Sequence, residues 1–261
     1  MTGRPGRAVW AWSAAAAALL VVVGAVVVVA RSGGSESAAT HPKAVRPADK
    51  DATGTRTTSR QAPTETTVSP KELPALLLSA ADISALLDAG PMKVTHDNPA
   101  LLANTSDPAD CGAVTIPAIA AGYQGSGYLG IQVQNLLDAS ADGSNYFEHQ
   151  AQQAVAAFPS ARRAREFVST ESARWIACTD RRVTVTAPNT NYIDSSWQVL
   201  HPAFDHEVLT ATLLNRTTSG WDCQRVMMPR RNVVVDVRVC GWSGGGQARA
   251  LATRIADRVP A

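Results

Sequence analysis

The sequence predicts an α+β domain, an antiparallel sheet with packed helices and two disulfides, behind one N-terminal transmembrane helix. Three observations predict it. Residues 8–30 carry no charge. Residues 31–71 hold almost no large apolar side chains. From residue 72 onward, one clear helical pattern is followed by short alternating segments separated by turn residues, with four cysteines among them.

Ala8 to Ala30 is an uncharged run of 23 residues. At the helical rise it spans roughly 35 Å, enough for the hydrocarbon core of a bilayer with some tilt. Arg4 and Arg7 precede it, and Trp10 and Trp12 sit where an interfacial aromatic belt would. Arg31, Lys43 and Arg46 follow, so charge orients the span only weakly. The short head and the cysteines beyond favour an N-terminus inside. A cleaved signal peptide ending at Val28-Val29-Ala30 is the competing reading, but the run is long for such a segment. The expected layout is a cytoplasmic head (1–7), a membrane anchor (8–30), a Ser/Thr/Pro/Ala linker (31–71) and an extracytoplasmic domain (72–261). The linker lacks the apolar surface to offset the entropy of ordering it.

Net charge is +2, with arginine outnumbering lysine twenty to four. A balance so near zero gives no electrostatic reason to expect a nucleic-acid partner. Scattered cysteines behind a membrane segment point to disulfides in an oxidising compartment, and four cysteines allow three pairings.

Along the domain, Ser79 caps a short helix, with Asp82 completing a capping box and Ile83, Leu86 and Leu87 on one face. Tyr128 to Leu136 reads as a strand with Leu129, Ile131 and Val133 alternating. Gln150 to Phe158 fits helix or strand. Pro159-Ser160 opens the clearest helix, to about Ile176, with Ala164, Phe167, Val168, Glu171, Trp175 and Ile176 near one face. Strands are expected at Arg182–Ala187, Ser195–His201, His206–Asn215, Asp222–Met228 and Asn232–Cys240, then a last helix from about Gln247 to Val259. Short connections favour antiparallel pairing.

The segment from Cys223 to Cys240 is the most informative. A two-residue turn at Arg231-Asn232, where Asn tolerates positive φ, makes paired residue numbers sum to 463. Cys223 then faces Cys240, Val226 faces Val237 and Met228 faces Val235. Cys111 and Cys178 are left for each other. The same register sets Arg225 opposite Arg238 on the disulfide face and Asp236 opposite Met227. Two adjacent cations cost energy unless an anion lies between them. They are either part of an anion-binding wall or solvated and splayed, with Asp236 as diagonal partner. Tyr123 and Tyr128, on the glycine-rich turn Gly122 to Tyr128, are candidate wall residues or core packing.

No phosphate loop, nucleophile elbow or His-Glu-x-x-His motif occurs. His201, Asp205 and His206 fit a polar loop better than a metal site, and His96 and His149 have no partner recognisable by spacing. No cofactor and no metal are expected.

Leu76 to Ile83, Gln153 to Ala161 with the helix to Cys178, and Gly220-Trp221-Asp222-Cys223 followed by Arg231 to Val237 and Cys240 resemble the PknH-like extracellular sensor domains of mycobacteria and related actinobacteria. The resemblance runs from about residue 72 to 259, and all four cysteines fall in the family's pattern. It implies a mixed domain with an antiparallel sheet, two disulfides and a cleft for an unidentified ligand. Kinase motifs are absent from this sequence, so signalling would pass through a partner. The expected function is a non-catalytic extracytoplasmic sensor module of the cell envelope, binding a small polar or anionic ligand. An envelope hydrolase, or an adaptor binding an envelope protein partner, are the alternatives.

Overall fold

The computed structural model describes residues 66–138, 147–188, 194–242 and 246–261. The expected head, membrane anchor and nearly all of the linker lie outside the described residues. Among the described residues no helix is long and apolar enough to cross a membrane.

Nine strands form one sheet: β1 (Met92–Asn98), β2 (Thr105–Asp107), β3 (Gly130–Asp138), β4 (His149–Ala157), β5 (Arg182–Thr186), β6 (Ser195–Asp205), β7 (Val208–Asn215), β8 (Asp222–Arg230) and β9 (Val233–Gly241). Their order is β1-β3-β4-β9-β8-β7-β6-β5-β2. Every pairing is antiparallel. The helices are α1 (Leu73–Leu76), α2 (Ala80–Leu87), α3 (Gly112–Thr115), α4 (Ala120–Tyr123), α5 (Ala161–Ala177) and α6 (Ala248–Ala256).

The ambiguous run at 150–158 is strand β4. Its small residues suit a place between β3 and β9, where both faces are covered. At β9 all nine positions are buried. Val233, Val235, Val237 and Val239 join one core with α2 and α6. Val234 and Cys240 join the other, with α5. β1 and β2 stand at opposite ends of this order. Yet the short stretch between Asn98 and Thr105 reaches at most about 25 Å, whereas eight strand spacings of about 4.8 Å would need about 38 Å. The sheet therefore curls to bring its edges toward each other, with Leu101 and Leu102 packed in the α5-side core.

Ser79 caps α2 with the expected reciprocal box to Asp82. Ser160 caps α5 by accepting the amide of Arg163 at 3.3 Å. Each such cap contributes about 1 kcal/mol. Ala164, Phe167, Val168, Glu171 and Trp175 form the buried face of α5, whereas Ile176 is half exposed. Leu129 is likewise exposed, because β3 begins one residue later; of the three alternating residues Ile131 and Val133 are buried.

The hairpin register is the expected one, from Asp222 opposite Gly241 to Arg230 opposite Val233. The turn differs in detail: Arg231, not Asn232, carries the positive φ, at 52°. Asn232 is needed as a clamp instead. Its buried amide donates to the carbonyls of Val68 and Phe158 and accepts the amide of Val68, each at 2.9 Å. The packed part therefore includes Val68, ahead of the expected start at residue 72. The disulfides are Cys111–Cys178 and Cys223–Cys240.

Candidate functional site

Strand register alone assembles a polar row on the α5 face of the sheet. His96 pairs with Asn135, Asn135 with Gln152, Gln152 with Arg238, and Arg238 with Arg225. Side chains directly opposite each other share a face, so these five form one continuous line across the strands. The row ends under α3 and α5, where Arg225 is fully buried and Arg238 is 7% exposed.

Every nitrogen of the Arg225 guanidinium has a partner. Nη1 donates to Asp236 Oδ1 at 2.7 Å and to the carbonyl of Val237 at 2.6 Å. Nε and Nη2 donate to the carbonyls of Val114 and Ala113. The guanidinium also lies 4.8 Å from the centre of the Trp175 ring. Asp236 takes two further donors on Oδ2, the amide of Ala118 at 2.9 Å and the hydroxyl of Tyr123 at 3.2 Å. A buried ion pair needs such extra hydrogen bonds, because desolvation otherwise outweighs the Coulombic gain.

Arg238 has no carboxylate. It donates to the carbonyl of Thr115 at 3.0 Å and to Gln150 Oε1 at 3.4 Å, and stacks 5.6 Å from the Trp197 ring. Its Nε is unpartnered, as are the neighbouring Gln152 Oε1 and His96 Nε2 on the same row. Burial, followed by the nearby Arg225 charge, pulls the Arg238 pKa down to about 9. A guanidinium stays protonated in proteins, so this shift measures how poorly the surroundings compensate the charge. The expectation of solvated, splayed arginines is thus replaced by two buried ones, of which one has its counter-ion within the chain.

Tyr123 is core rather than cleft wall. Its ring packs on Phe167 with centroids 4.7 Å apart. Burial, then the Asp236 charge, holds its hydroxyl proton well above the usual phenol range. Tyr128 is partly buried and meets Tyr123 edge-on at 5.8 Å. The fold therefore brings Arg225, Arg238 and Tyr123 together, and Tyr128 reaches them only through Tyr123. Two depressions flank α5. One, of about 480 Å³, lies against Phe204 and Glu207. The other, of about 300 Å³, lies against the glycine-rich turn and includes Glu171.

Glu171 was visible in the sequence as an acid on an apolar stripe. Burial raises its pKa to about 7, against the lowering effect of Arg174. Trp175 and Gln152 carried no such signal. His206 pairs with Asp205 at 2.7 Å on the exposed β6–β7 turn, and His149 pairs with Asp138 at 2.8 Å. Among the described residues no three metal-ligating side chains cluster.

These features define a class: a disulfide-linked α+β domain whose antiparallel sheet buries a pair of arginines beneath α3 and α5. The model of the PknH-like extracellular domain matches residues 68–258, and the chain belongs to that family. It is 34% identical over 194 residues to serine/threonine-protein kinase PknH of Mycobacterium bovis and of Mycobacterium tuberculosis, covering 74% of this chain. The chain spans about 30% of the length of these curated relatives. The crystal structure of the extracellular domain of PknH from M. tuberculosis superimposes with a TM-score of 0.67 at 30% identity, over 74% of this chain and 97% of that one. The family is one of extracellular domains, which places the folded domain outside the cytoplasm.

Proposed function

We propose that this chain is a non-catalytic ligand-binding sensor module of the cell envelope, anchored through residues 8–30 and held off the membrane by the linker that precedes Val68. Its ligand is small and anionic or polar, and it engages the Arg238 end of the polar row. One observation carries this reading. Arg238 is a buried cation without an acidic partner, and its Nε donor is left without an acceptor. An anionic group there would supply the charge-assisted hydrogen bond that the fold supplies to Arg225 through Asp236. An occupied site would signal through an envelope protein partner.

The test is mass spectrometry of small molecules that co-purify with the full chain from its native envelope. An anion should accompany the wild type and be lost from Arg238→Gln. Identical molecules on both proteins would overturn the assignment.

The adaptor reading has one observation of its own. Phe147, Trp221 and Trp242 form an edge-to-face aromatic group, with Phe147 36% and Trp242 52% exposed. Such a patch suits a protein partner.

A further inference from the structure

The 300 Å³ cavity beside α5 holds a buried acid that the hairpin network leaves unused. Arg163, Glu166 and Arg174 are each about half exposed and form its mouth. Glu171, fully buried, forms its inner end. Glu171 Oε1 accepts from Arg174 at 2.7 Å, whereas Oε2 has no partner.

The other charges around Glu171 are already committed. Asp236 on β9 and Arg225 on β8 pair with each other. Tyr123 on α4 donates to Asp236. Glu166 is bridged to Arg162 and Arg163. Mouth charges are also screened by solvent. The inner end therefore holds one unpartnered acceptor oxygen, buried beneath the lining side chains, which a ligand reaches only as they move aside. Gln124, which is exposed, and Ser126 also line the cavity, as does Phe167.

We propose that this cavity binds a small primary amine bearing hydroxyl groups, with the ammonium on Glu171 and the hydroxyls on Gln124 and Ser126. The Phe167 ring covers the carbon skeleton. An anion would lie beside the acid and require it to be neutral. A neutral polyol would satisfy the hydroxyl wall but not the charge. The site is independent of the Arg238 reading, since the two share no lining residue.

The proposal has a pH signature. Glu171 ionises only near pH 7, so seating an ammonium must release its proton below that point. Affinity should rise about tenfold between about pH 6 and about pH 8. An anionic ligand would show the opposite slope.

The test is titration of the full chain with 2-amino-1,3-propanediol, followed by ligand-detected NMR, with glycerol and glycerate as the neutral and anionic counterparts. The amine should bind more tightly than either, and more tightly at the higher pH. Glu171→Gln should weaken it roughly 10- to 100-fold, the usual value of a charge-assisted hydrogen bond, and flatten the pH profile. Gln124→Ala, at the exposed mouth, should weaken it while keeping the profile, which preserves the test if the first variant folds poorly. Equal binding of glycerol, tighter binding of glycerate, or a flat wild-type profile would overturn the proposal.

Discussion

Arg225 and Arg238 occupy one rung of the β8–β9 hairpin, point to the same face and are both buried. Their surroundings are opposite. Around Arg225, α3 contributes two carbonyls, β9 contributes Asp236, and α5 contributes Trp175. Around Arg238 there are one carbonyl, one long amide contact and an indole. The difference is that between a charge built into the core and a charge the core leaves open. Position in the sheet does not separate the two roles. Coverage by the helices does, because α5 and two α3 carbonyls lie over Arg225, whereas α3 gives Arg238 only the carbonyl of Thr115, and the row thins out toward Asn135 and His96, which are only partly buried.

Substitution at each arginine breaks or sharpens this contrast most strongly. Arg225→Gln strands Asp236 as an unpaired buried charge and should cost about 3–5 kcal/mol in urea denaturation. Arg238→Gln strands no acid and relieves a like-charge neighbour, so its cost should stay below about 1 kcal/mol. Equal losses would mean that the two sites are energetically alike.

Glu171 gives the next largest effect, and it belongs to the Arg225 side. Its folded pKa of about 7 lies above its ordinary 4.5, so the unfolded chain loses this proton first as pH rises. Wild-type stability should therefore fall between about pH 4.5 and about pH 7 relative to Glu171→Gln, by about 3 kcal/mol in all, and the gap should then level off. Parallel stability curves for the two proteins across that window would show that Glu171 is not held protonated by burial.

Tyr123→Phe should be milder than Arg225→Gln or the Glu171 effect. It removes one donor from Asp236 Oδ2 while the amide of Ala118 remains. A loss of about 1 kcal/mol is expected from thermal melts. A loss as large as that of Arg225→Gln would make the tyrosine, not the arginine, the main support of Asp236.

Much of this was legible because it is local. The capping box at Ser79, the start of α5 at Ser160 and the two-residue turn after Arg230 each depend on neighbours a few residues apart. Once that turn is placed, a period of two carries the register to Cys223 and Cys240, and the remaining disulfide follows. The strand at 149–157 was not decided by its own pattern. Alanine, valine and glutamine suit either state, and only its place between β3 and β9 selects the extended one.

The sequence by itself therefore determined the α+β class and antiparallel sheet of the folded domain, both disulfides and the juxtaposition of Arg225 with Arg238, because pairing in the hairpin depends on alternation and turn length. Only the tertiary structure decided what that juxtaposition means. Asp236 lies two residues from Arg238 in sequence, yet its carboxylate pairs with Arg225 across the hairpin. The carbonyls of Ala113, Val114 and Thr115 that complete the two sites come from more than a hundred residues away. Compensation of a buried charge depends on which distant segments supply dipoles to it, and no local pattern in the hairpin records that choice.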